Sequence, residues 1–119
     1  MKQEIKFRAW DKSEKFMYRT INDLTPTWIS VAIPDEDNGH LEQRKIEDVI
    51  LMQYTGLKDK QGKEIYEGDI VQEQEVDNFE VIFRKGCFCY KTGEKQYHIF
   101  KEKELEVIGN IYENANLLK

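Results

Sequence analysis

The sequence predicts a mainly-β chain, with an N-terminal β-hairpin region followed by a small SH3-like barrel in the C-terminal half. Three observations carry that expectation. Residues 4–10, EIKFRAW, alternate so that Ile5, Phe7 and Ala9 share one face and Lys6, Arg8 and Trp10 the other, the period-two pattern of a strand. Short runs of β-branched and aromatic residues recur along the chain, punctuated by Gly, Pro, Asn and Asp. From about residue 65 to 112 those runs have the spacing of a small barrel, entered through Gly68-Asp69-Ile70-Val71.

In chain order, EIKFRAW and the segment starting at Phe16-Met17-Tyr18 form a hairpin about the polar turn Asp11–Lys15. Trp10, on the more polar face, is expected to cover a neighbouring lobe or subunit, or to act as an exposed recognition aromatic. Asn22–Thr27, containing Asp23 and Pro26, is expected to break regular structure. Trp28–Ile33 then reads as a strand ended by Pro34. Asp35–His40 is the most turn-like stretch, with Asn38-Gly39 the pair favoured in a type I′ turn, and Leu41–Lys45 returns. One helical turn fits Ile46–Asp48.

Ile50–Val71 is the centre of the sequence. An apolar run from Val49 to Met52 leads through Tyr54 and Thr55 to Gly56, which favours a strand. The polar stretch KDKQGK, with Gly62 available for a positive φ, is a turn, and Glu67-Gly68-Asp69 is a second one. Only a small element fits between them. Beyond lie strands at Asp69–Val76, at Phe79–Arg84 and at CFCY (residues 87–90), a turn at Lys91–Glu94, an extended Tyr97–Phe100, and Leu105–Tyr112 with Gly109 as a bulge. Asn114 is placed to cap a final helical turn.

QYTGLKDKQGKEIYEGDIV in the middle, IKFRAWDKSEKFMY near the start and LEVIGNIYENANLL at the end resemble the YopX family of small bacteriophage and prophage proteins, in the family's order and spacing. Residues 20–48 and 72–103 carry no such motif. The resemblance implies a phage-encoded, cytoplasmic, oligomeric β protein whose molecular function is not established. It brings no catalytic residues.

At 119 residues the chain fits a single domain, with lobes at 1–64 and 65–119, and can bury about two thirds of its unfolded surface. Its 34% charged and 12% aromatic content describes a folded chain with a heavily charged surface. The net charge of −5, from 18 basic and 23 acidic residues, argues against gripping duplex DNA by phosphate neutralisation. With no apolar segment near the start and no run of roughly 20 apolar residues, neither a signal peptide nor a membrane span is expected, and an intracellular location is expected.

Cys87 and Cys89 share a strand face, a poor geometry for a disulfide, and read as small buried hydrophobes. With His98 and His40 they fall short of the four ligands of a structural zinc site, and with His98 they make only a weak nucleophile–base pair. No glycine loop, nucleophile elbow or zinc-protease motif is present, and no cofactor is called for. Glu67 and Asp69 are expected to shape their turn. The exposed binding or subunit surface is expected at Trp10, Tyr54, Lys58, Asp59, Lys63, Tyr66 and Asp69. A non-catalytic homo-oligomeric module that holds a host or phage protein ranks first, a single-stranded nucleic-acid binder second, and an enzyme third.

Overall fold

The computed structural model describes residues 5–33, 39–73, 77–84, 86–92, 95–97 and 105–118. The acidic residues 35–37, the turn residues Asn38, Gly93 and Glu94, and His98 lie outside these. The chain is mainly β, as expected, and divides into two compact units, one of Lys6–Gln53 and the other built on Tyr54–Lys119.

The first unit begins with β1 (Phe7–Asp11) and β2 (Phe16–Tyr18), the expected hairpin, in the register Ala9↔Tyr18, Trp10↔Met17 and Asp11↔Phe16. The start of β6 (Val49–Lys58) pairs along the other side of β1, with Trp10 opposite Ile50. β1 is thus paired along both edges, and on the face expected to be more polar Arg8 and Trp10 are buried, as is Ala9 on the other face.

A second sheet runs in the order β3 (Ile21–Leu24), β4 (Trp28–Ile33), β5 (His40–Lys45), all antiparallel. The expectation that Asn22 and Asp23 break regular structure is corrected here. A register shift between Ile21 and Asp23 accommodates the polar residues, and the break comes one turn later, where Thr25 N–H donates to the Trp28 carbonyl and Trp28 N–H to Thr25 Oγ1. Ile29 and Val31 of β4 join Ala9, Tyr18 and Val49 in one core, with Ile21, Ile33, Ile46 and Leu51 against it. A 3₁₀ turn at Ile46–Asp48 connects β5 to β6.

In the second unit the end of β6 pairs with β7 (Glu64–Tyr66), the small element between the two expected turns. Five antiparallel strands follow in the order β11 (Lys95–Tyr97), β10 (Cys87–Thr92), β9 (Asp77–Arg84), β8 (Asp69–Glu73), β12 (Leu105–Asn110). Their core joins Val71, Phe79, Val81, Tyr90, Leu105 and Val107 to Ile65 of β7. The expected irregularity at Gly109 is present as a register shift between Val107 and Gly109. The closing 3₁₀ turn, Ala115–Leu118, starts at the Asn114 carbonyl, which accepts Leu117 N–H.

Candidate functional site

Three polar or exposed constellations stand out: the central turn, a carboxylate–tyrosine–arginine network, and the solvent face of the three-stranded sheet. In the central turn, the chain reverses between β6 and β7 around Asp59. Asp59 N–H donates to the Lys63 carbonyl at 2.8 Å, Gly62 N–H to the Asp59 carbonyl at 3.0 Å, and Gly62 takes the positive φ of 86° foreseen for it. The Asp59 side chain turns inward, where Oδ1 accepts Gln61 and Lys63 N–H at 2.9 Å each and Oδ2 accepts Val107 N–H at 2.8 Å. Burial pushes this carboxyl up, but the N–H groups of Val107, Lys63 and Gln61 outweigh it and hold it below its ordinary value of 3.8. Lys60 N–H, donating to the Leu105 carbonyl at 2.9 Å, completes the docking of the turn onto β12.

Asp69 shapes the second turn, as expected, by accepting Tyr66 N–H at 2.8 Å. Tyr54 and Tyr66, opposite one another in register, pack their rings at 5.4 Å, and Thr55 Oγ1 donates to the Ile65 carbonyl at 2.7 Å. Of the seven residues expected on an exposed surface, only Lys58 and Lys63 are exposed. Trp10, Tyr54, Asp59, Tyr66 and Asp69 are buried, a correction with one cause: strand pairing and turn docking need these aromatic bodies and carboxylates inside. Six of the seven cluster within β6, β7 and their turns, whereas Trp10 belongs to the other unit.

The network in the first unit was not anticipated. Asp11 reads in sequence as a turn residue, and so it acts through Oδ1, which accepts Ser13 N–H at 3.1 Å and Glu14 N–H at 3.0 Å. Its Oδ2 accepts the Tyr18 hydroxyl and Arg44 Nε, the latter at 3.3 Å. Arg44 Nε also donates to the Tyr18 oxygen at 3.1 Å, its Nη2 meets Glu42 at 2.7 Å, and its guanidinium lies 5.8 Å from the Tyr18 ring centroid. His40 Nε2 sits 3.6 Å from Glu42. Burial, then the Asp11 hydrogen bond, raises the Tyr18 phenol to about 12. Burial also pushes Asp11 up, but the Glu14 N–H and Tyr18 hydroxyl bring it below its ordinary value. The available signal was the alternation of Glu42 and Arg44 with Leu41, Gln43 and Lys45, which puts two opposite charges on one face of β5.

The opposite face of this sheet carries exposed apolar groups. Trp28 is 43% and Leu41 58% exposed, and Ser30 and Ala32 separate them with small side chains. Trp28 stands opposite Lys45 in register and borders an open groove of about 460 Å³ lined by Pro26, Thr27, Lys45, Ile46 and Glu47.

Chemically, Asp11, Asp59 and Asp69 already serve as hydrogen-bond acceptors for turns. Asp11 and Asp59, held below the usual carboxylate range, are weak bases. Cys87 and Cys89 are not joined in a disulfide; burial pushes the Cys89 thiol up, away from the thiolate a nucleophile needs. Among the described residues, no three His, Cys, Asp or Glu side chains converge to hold a metal ion, and no helix is long and apolar enough to cross a membrane.

No curated protein matches the sequence. Among solved structures, the chain is similar to protein EF1440 from Enterococcus faecalis, with a TM-score of 0.73 and 26% identity over 99% of this chain and 100% of that one. The family model described as YopX protein matches residues 6–119, all but the first five residues of the chain. The chain belongs to the YopX family.

Proposed function

We propose that this protein is a non-catalytic, homo-oligomeric interaction module of a phage or prophage. On this reading the chain is a single YopX-like domain with an SH3-like C-terminal lobe, working in the host cytoplasm and holding copies of itself and a host or phage protein. The observation that carries the reading is the solvent face of β3-β4-β5, where Trp28 and Leu41 expose large apolar surface around small residues and a groove. The buried carboxylates Asp11, Asp59 and Asp69 are committed to backbone N–H groups, which supports a scaffold rather than a catalyst.

Light scattering after size exclusion, with and without a labelled single-stranded oligonucleotide at low salt, tests this reading. A stable oligomer that ignores the oligonucleotide supports the module. Co-elution that salt abolishes replaces it with single-stranded nucleic-acid binding, in which Trp28 beside Lys45 would stack a base near a phosphate.

A further inference from the structure

We propose that two copies of this chain join edge to edge along β5, antiparallel about a twofold axis at Gln43, so that β3-β4-β5 of each copy forms half of a six-stranded sheet. This rests on the homo-oligomer reading and names its contact. Among the described residues, β5 pairs with β4 alone. Every second residue of a strand turns its N–H and C=O to the side away from a given partner, so the far edge of β5 presents a hydrogen-bonding template. Leu41, Gln43 and Lys45 are all exposed along it.

Proteins usually protect such an edge with charge, and β5 is heavily charged. The order of its charges decides what they do. A twofold axis normal to the sheet maps each face onto itself, so the register must centre on a residue, and Glu42 and Gln43 give the longest overlaps in His40–Lys45. Centred on Glu42, the strand sets Glu42 against its own copy, which repels, and leaves Arg44 opposite His40 with no carboxylate. Centred on Gln43, it sets Glu42 against Arg44 of the second copy twice and lays Leu41 along the methylene stem of Lys45. β5 is therefore self-complementary in one long register and self-repelling in the other.

The network within each copy fits this exchange. Arg44 keeps its Nε on Asp11 and Tyr18, while Nη2, now 2.7 Å from its own Glu42, faces the second copy's Glu42 directly across the new pair. Directly opposed residues bring their Cβ atoms to about 4.5–5.5 Å, closer than neighbours two apart along one strand. Both side chains retain outward surface, at 28% for Arg44 and 34% for Glu42, so the exchange is open to them.

Cysteine cross-linking of the full chain reads the register. In a Cys87→Ser background, with Cys89 buried, Gln43→Cys would face its own copy at about 4.5–5.5 Å between Cα atoms, within disulfide reach. Leu41→Cys would lie four residues from its mate, about 13 Å along the strand. The expected result under mild oxidation is a reducible dimer for most of the Gln43→Cys protein and none for Leu41→Cys. The unaltered protein should scatter as an even multiple of 14.2 kDa. An oligomer whose Gln43→Cys form stays uncross-linked, or whose Leu41→Cys form cross-links as readily, overturns the edge pairing and leaves the module reading standing. A monomer at all concentrations overturns both.

Discussion

Asp59 accepts the backbone N–H of Val107 at 2.8 Å across forty-eight residues of sequence. The same carboxylate closes its own turn through Gln61 and Lys63, so one side chain fixes both the shape of the β6–β7 connection and its attachment to β12. Asp59→Ala leaves three backbone donors without their acceptor, one of them buried. The expected cost is about 3 kcal/mol, since hydrogen bonds to charged groups are stronger than neutral ones and buried orphans carry a desolvation penalty. Urea unfolding of the variant beside the unaltered protein measures it.

Acid should release the same lock. Asp11 and Asp59 have folded values below 3.8, so each contributes stability that is fully present above that value and is lost as the pH falls through the folded range. The expected outcome is a denaturation midpoint flat near neutrality and falling steeply below about pH 4. Asp59→Asn, which cannot titrate, should flatten part of that fall.

At the alkaline end the relevant group is Tyr18. Its folded value of about 12 lies above the ordinary 10.0, so its contribution is present below pH 10 and is lost as the pH rises toward 12. Ultraviolet difference titration should show a late-ionising tyrosine component, and Tyr18→Phe should diminish it by one phenol. An unchanged late component in Tyr18→Phe would contradict the assignment.

Gly68→Val should destabilise far more than Lys60→Ala. Gly68 has φ of 88°, donates its N–H to the Val81 carbonyl and accepts Ile111 N–H, so a β-branched side chain must strain a backbone pinned at both groups. Lys60 loses only a half-exposed pair with Glu106 at 3.5 Å, an effect within about 1 kcal/mol. Equal melting temperatures for the two variants would contradict this.

Much of the fold was legible because its signals are local. The Phe7–Asp11 hairpin strand, Trp28–Ile33 before Pro34, the two glycine turns around Glu64–Tyr66 and the irregularity at Gly109 each follow from side-chain alternation or a residue that permits unusual backbone. What was not legible depends on which strand lies beside which. Alternation puts Arg8 and Trp10 on the more polar face of β1 but does not say that this face is buried, and Ile21–Leu24 forms a strand because β4 offers it a ladder despite Asn22 and Asp23. The candidate surface suffered for the same reason. Polar and aromatic residues near the central turns suggested display, but Asp59 and Asp69 face backbone donors, while the exposed aromatic with a groove is Trp28, in a stretch without family motifs.

Hydrogen exchange at two protein concentrations tests most directly whether this chain works by associating through the β3-β4-β5 sheet. Amides of His40–Lys45 should gain protection on concentrating the protein, with smaller changes in Trp28–Ile33 and none in Ile70–Gln72, which pair with β9 on one side and β12 on the other. Unchanged exchange in His40–Lys45 across the concentration range, or protection gained only in the five-stranded sheet, would contradict that account.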